Sequence, residues 1–202
     1  MAKRLREKDG PEIVVINPES ADGFLEAVTM DTARYRLLNL IREADTHSRF
    51  RIYTPVTENE KPIYVHAKIM IVDDHLLRVG SSNFNNRSMG FDTECDLAVE
   101  AVARRTGVQV IRDGILGVRN DLLAEHLGTS VEAVAESIGS TDSLIEGIEN
   151  LRRKGRSLVP YEPNEPSEAA EALAENDLLD PEQPPSWTRR ALQLLSLRGS
   201  LR

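Results

Sequence analysis

Two strand-sized apolar runs, residues 63–72 and 76–79, are separated only by Asp73-Asp74-His75. A connection that short between such runs reads as a hairpin, and this pairing constrains the fold more than any other feature of the chain. Further strands precede and follow it. Residues 12–16 (Glu-Ile-Val-Val-Ile) read as a short buried strand ended by Asn17-Pro18, residues 50–54 as a second strand stopped by Pro55, and residues 95–102 as a fifth. Between the first two, Met30, Ala33, Leu37, Ile41 and Ala44 recur at helical spacing, with Arg34, Arg36, Arg42 and Glu43 on the wet side.

From Val108 the period changes. Val108, Ile111, Ile115, Val118 and Leu122 share one helical face, and Gly128 ends that helix. Thr129-Ser130-Val131-Glu132 reads as a capping box that opens another helix, and a third runs over about residues 143–154. After Gly155, six of the ten prolines lie between Pro160 and Pro185 among many glutamates, which reads as a surface linker or tail. Residues 167–176 are compatible with one short helix there. Trp187 and the Leu192, Leu194, Leu195 and Leu197 cluster are suited to docking on the domain or on another molecule. The expected fold class is α/β: a mixed sheet flanked by helices, with a helical and proline-rich C-terminal extension. The expected parts are residues 1–128, a sheet-bearing domain; 129–156, a helical extension; and 157–202, an acidic tail.

Length and charge narrow the class. The 202 residues make one ordinary domain, or one domain with a tail. A net charge of −8 and a pI near 5.1 count against a nucleic-acid partner, since such proteins usually carry a basic excess. The sequence has no apolar run long enough to span a bilayer. Met1-Ala2-Lys3-Arg4-Leu5-Arg6 is basic but is followed by no apolar segment, so it does not read as a secretory signal. The single cysteine, Cys95, forms no internal disulfide and is expected in the core. The expected location is cytoplasmic.

The chemistry lies between residues 66 and 94. His66 and Lys68 are two apart, so on a strand they project from one face. An imidazole beside an ammonium suits phosphodiester chemistry: the first attacks phosphorus or protonates a leaving oxygen, and the second stabilises charge on the non-bridging oxygens. Ser81 and Asn83, again two apart, add hydrogen bonds to the same phosphate, and Gly80 allows close backbone approach. Asp73 is turned away by strand alternation and reads as structural. Asp73-Asp74-His75 reads as a turn rather than a set of metal ligands. Arg87 is expected to pair with an acid near the site, and the basic cluster at residues 152–156 to be a solvated helix end.

The pattern H-x-K-x4-D-x6-G-S-x-N, formed by His66, Lys68, Asp73, Gly80, Ser81 and Asn83, resembles the signature of the phospholipase D superfamily. Tyr64-Val65-His66-Ala67-Lys68 and Asn85-Asn86-Arg87-Ser88-Met89-Gly90 look like the surroundings of the second of the family's two motifs. Residues 11–17 and 158–185 look like the C-terminal half of bacterial members. The resemblance implies one α/β/α half of the phospholipase D fold. It implies that His66 is nucleophile or general acid, that Lys68, Ser81 and Asn83 bind phosphate, and that Glu94 orients the imidazole. It also implies a phosphohistidine intermediate, no metal and no cofactor. The substrate so implied is a phospholipid headgroup, released to leave phosphatidate, with peripheral membrane contact. Family enzymes use two such motifs, whereas His47, His75 and His126 lack a lysine two residues on. The second histidine is therefore expected from a homodimer partner or from a missing N-terminal half, and the second-motif surroundings favour the missing half. The alternatives are a homodimeric single-motif nuclease and a non-catalytic half-domain.

Overall fold

The structure, a computed structural model, describes residues 1–16, 24–103, 106–163 and 165–167, leaving aside the side chains of residues 24–31 and 33. Beyond Ser167, the expected helix over 167–176 lies outside the described residues, as do Trp187 and the leucine cluster. Helix α1 (Ala2–Arg6) leads into strand β1 (Ile13–Ile16), helix α2 (Phe24–Ala44) and strand β2 (Phe50–Val56). Strands β3 (Lys68–Val72) and β4 (Leu76–Gly80), the short helix α3 (Asn86–Gly90) and strand β5 (Asp96–Glu100) follow. Helices α4 (Val108–Leu127), α5 (Val131–Thr141) and α6 (Leu144–Leu151) and strand β6 (Ser157–Pro160) complete the described order.

The α/β class is as expected, but the strands divide into two three-stranded sheets. The first is mixed, in the order β1-β2-β6, with β1 parallel and β6 antiparallel to β2. Its register pairs Ile13 with Phe50 and Val15 with Ile52, so these four side chains share one face. They pack there with Leu5, Leu38 and Ile41 of α1 and α2. Val14, Ile16 and Tyr53 point the other way, into a second cluster with Leu123, Ala124, Leu127, Val134 and Ile148 of the last three helices and Leu158 of β6. The result is three layers, helix–sheet–helix. Each fully buried Leu, Ile or Phe contributes roughly 1.5–3 kcal/mol of burial.

Several elements differ from the sequence reading for physical reasons. Strand β2 runs through Pro55, because β1 pairs only as far as Tyr53 and no ladder bond to it is lost at the proline. On α2 the buried face is Leu38, Ile41 and Ala44, while Leu37 is exposed. Helix α6 ends at Leu151, and residues 157–160, the first of the expected tail, form β6 against β2. Gly128, in the left-handed region at φ 60°, caps α4 as expected, and Ser130 caps α5 by accepting from the Ala133 N–H.

The second sheet, β3-β4-β5, is antiparallel throughout. The expected hairpin is present, with Asp73 in the left-handed region at φ 51° and the His75 N–H donating to the Val72 carbonyl. Strand β3 is shorter than expected and opens at Lys68. Residues 63–67 cross from one sheet to the other: Ile63 N–H still donates to the Pro55 carbonyl of the first sheet, and β4 offers no partner beyond Gly80. The hairpin is tied to α4 by an ion pair of Asp74 with Arg112 at 3.5 Å.

Candidate active site

One end of the second sheet gathers the sequence motif. Lys68 is the first residue of β3, Gly80 the last of β4 and Asp96 the first of β5, and the register places these three side by side. His66 therefore lies just before β3, Ser81 to Asn83 just after β4, and Glu94 just before β5, all at the same edge. Asp73 sits at the opposite end, in the hairpin turn.

The imidazole of His66 is exposed and stacks on Tyr64, with ring centroids 5.9 Å apart and planes 22° from parallel. The Lys68 ammonium donates to the His66 carbonyl at 2.8 Å, which keeps it beside the histidine. Ser81 and Asn83 are exposed while Ser82 between them is buried, so the turn presents two polar side chains and anchors the third. Ser81 Oγ donates to Glu94 at 2.5 Å and accepts from the Cys95 N–H at 2.9 Å, and the Ser81 N–H donates to the Cys95 carbonyl at 3.1 Å. The Glu94 carboxylate is thus held by Ser81, and no bond joins it to His66 among the described residues.

Arg87 forms the expected ion pair, a two-pronged contact with Asp92 at 2.9 and 3.1 Å, and its hydrogen bond holds the Asp92 carboxyl below the usual carboxylate range. Cys95 departs from expectation. It is exposed, because it precedes an edge strand whose residues are all open to solvent. In the basic cluster, Arg153 donates to the Gly128 carbonyl, and Arg152 and Arg156 pair with Glu149 and Glu125. No helix among the described residues is long and apolar enough to cross a membrane.

Sequence reasoning passed over Asp96 and Ser82. The Asp96 carboxylate accepts from the Ser82 hydroxyl and lies 2.9 Å from Arg78 Nη2. The Ser82 hydrogen bond, and then the Arg78 guanidinium, hold its carboxyl below the usual range. An aspartate opening a strand is out of place by β-propensity, and that was the available signal.

The phospholipase D family model matches residues 39–152, more than half of the chain. The chain belongs to the phospholipase D family. It is 30% identical to phospholipase D alpha 4 of Arabidopsis thaliana over 140 residues, which are 69% of this chain and 16% of that protein. It is 45% identical to phospholipase D alpha 2 of Oryza sativa subsp. japonica over 69 residues, 33% of this chain and 8% of that protein. Phospholipase D alpha 1 of Carica papaya is 46% identical over 68 residues, again 33% and 8%. The chain thus spans 8–16% of the length of these relatives. No solved structure matches the chain.

Proposed function

We propose that this chain supplies one half of a phospholipase D active site, which hydrolyses or transfers the headgroup of a glycerophospholipid and leaves phosphatidate. The observation that carries the reading is the convergence of His66, Lys68, Ser81, Asn83 and Glu94 at one end of the β3-β4-β5 sheet. In the first step a histidine ring nitrogen attacks phosphorus, the bond to the headgroup oxygen breaks, and a second histidine donates a proton to that oxygen. Water or an alcohol then attacks the phosphohistidine, giving its proton to the second histidine as the phosphorus–nitrogen bond breaks and the first imidazole is restored. His66 takes one of the two histidine roles. Lys68, Ser81 and Asn83 bind the phosphate oxygens as charge builds in the transition state. Glu94, whose Oε2 accepts from Ser81, takes the role of orienting the imidazole and fixing its tautomer only when the complete site brings the two together. The chemistry calls on lysine for charge and on no metal or cofactor. The second histidine comes from another chain or from a preceding half of the same protein, and the enzyme works in the cytoplasm, peripherally at a membrane.

A second reading, a homodimeric nuclease, is favoured by the single His-x-Lys and opposed by the net charge of −8. A third, a half-domain without turnover, shares the incomplete site. The test is release of choline from phosphatidylcholine vesicles and nicking of plasmid DNA, for the wild type and His66→Ala. Choline release that falls by roughly a thousandfold in the variant supports the proposal. DNA cleavage without choline release replaces it with the nuclease. Absence of both from a chain that light scattering shows to be monomeric, persisting when the first-motif half of a two-motif phospholipase D is supplied with it, replaces it with the inactive half. Where two copies build the site, specific activity rises with protein concentration.

A further inference from the structure

We infer that Asp96 is a positioning residue that latches the Ser81–Asn83 turn in its phosphate-binding shape; this rests on the reading of that turn given above. Asp96 opens β5 directly opposite Gly80. Its carboxylate leans over the glycine so closely that a Cβ at Gly80 would lie 1.8 Å from Oδ1 and 2.6 Å from Cγ. From there Oδ2 accepts from the Ser82 hydroxyl and Oδ1 from the Ser82 N–H at 3.4 Å. Both polar groups that Ser82 offers on this side therefore end on one carboxylate.

The consequence for the site follows from alternation. Ser82 is buried, and its neighbours Ser81 and Asn83 are exposed. Fixing the middle residue inward fixes the two flanking side chains outward, where they meet a phosphate. A carboxylate near a phosphate site would repel its ligand if left bare. Arg78, two residues back along β4 and so on the same face of the sheet, meets Asp96 at 2.9 Å and balances that charge. The latch thus consists of Gly80, which makes room, Asp96, which holds, Ser82, which is held, and Arg78, which neutralises. Asp96 itself touches no substrate.

Inorganic phosphate titrated into the full chain, followed through the Ser81 and Asn83 amide signals in NMR, tests this together with hydrogen exchange at the Ser82 amide. Asp96→Ala should speed Ser82 exchange at least tenfold and weaken phosphate binding about fivefold or more. Asp96→Asn, which keeps the shape and an acceptor for the Ser82 N–H, should fall between wild type and alanine, and it serves if the alanine variant does not fold. Because the two residues act as one unit, Asp96→Ala with Ser82→Ala should bind phosphate no more weakly than the worse single variant. Unchanged Ser82 exchange in the variants would remove the latch. Faster exchange with unchanged phosphate affinity would show that the turn does not depend on it, and would equally overturn the inference. A wild-type chain that fails to bind phosphate, with Ser82 exchange still governed by Asp96, would instead overturn the phosphate site itself.

Discussion

At the scale of single residues, spacing made the site legible and strand pairing hid its supports. His66 and Lys68, and likewise Ser81 and Asn83, could be read because a separation of two on an extended chain implies a shared face. Asp96 could not, because it meets Ser82 only once β4 and β5 are in register across 14 positions of sequence. Cys95 was misplaced for a related reason: a free cysteine usually behaves as a small buried hydrophobe, but only the sheet order shows that β5 is an edge. Gly80 carries the sharpest residue-level consequence. Gly80→Ala places a methyl group against the Asp96 carboxylate, and the expected cost is about 1–3 kcal/mol in urea denaturation. Adding Asp96→Ala removes the carboxylate but leaves the residue-96 Cα 2.7 Å from the new methyl, so the double variant should be more stable than the two single effects summed, yet less stable than Asp96→Ala alone. Additive effects would show that the carboxylate does not occupy that space. Cys95 gives a second expectation: in the folded protein it should react with a thiol reagent at close to the rate of the unfolded chain.

At the scale of elements, two buried or partly buried polar contacts bind strands to helices. Glu12, the residue before β1, accepts from the Ser143 hydroxyl at 2.6 Å and the Ile145 N–H at 3.1 Å, which places a carboxylate on the N-terminus of α6. Glu12→Ala should cost about 1–2 kcal/mol by urea denaturation, and an unchanged midpoint would show that α6 docks without it. Tyr53 of β2 is fully buried and donates to Glu149 of α6 at 2.6 Å. Burial, and then this bond, push its phenol well above the ordinary value of 10.0. A raised folded value means the contribution to stability is complete below about pH 10 and is lost as pH rises through the folded value. Absorbance titration should therefore show Tyr53 among the four tyrosines ionising only with unfolding, and Tyr53→Phe should remove that late step. Hydrophobic period revealed which segments are helix and strand, but not their partners. Leu37 and Leu38 are adjacent and equally apolar, so period alone could not choose the face of α2 that meets β1 and β2. Strand β6 was obscured because its four residues end in Pro160 and run into a proline-rich stretch.

At the scale of the whole molecule, the second sheet has two unlike faces. Lys68, Arg78, Gly80 and Asp96 lie on the face that carries the site. The other face consists of Ile69, Val79 and Leu97 in one row and Ile71, Leu77 and Val99 in the next, with no polar side chain among them. Leu97 is 75% exposed, Val99 48% and Val79 47%, and none of the six belongs to a buried cluster among the described residues. A continuous apolar surface of this kind is unusual on a monomeric soluble protein. It fits a chain that spans 8–16% of the length of its relatives, and it fits the proposal that the site is half of a pair. The chain on its own should therefore bind the dye ANS and associate weakly as its concentration rises. Leu97→Lys should reduce both effects several-fold while leaving far-ultraviolet circular dichroism unchanged. Phosphate titration at Ser81 and Asn83 should also be unchanged, because Leu97 points away from Lys68. Dye binding equal in the two proteins would mean that this face is already covered, and a loss of phosphate binding on substitution would mean that the two faces are not independent.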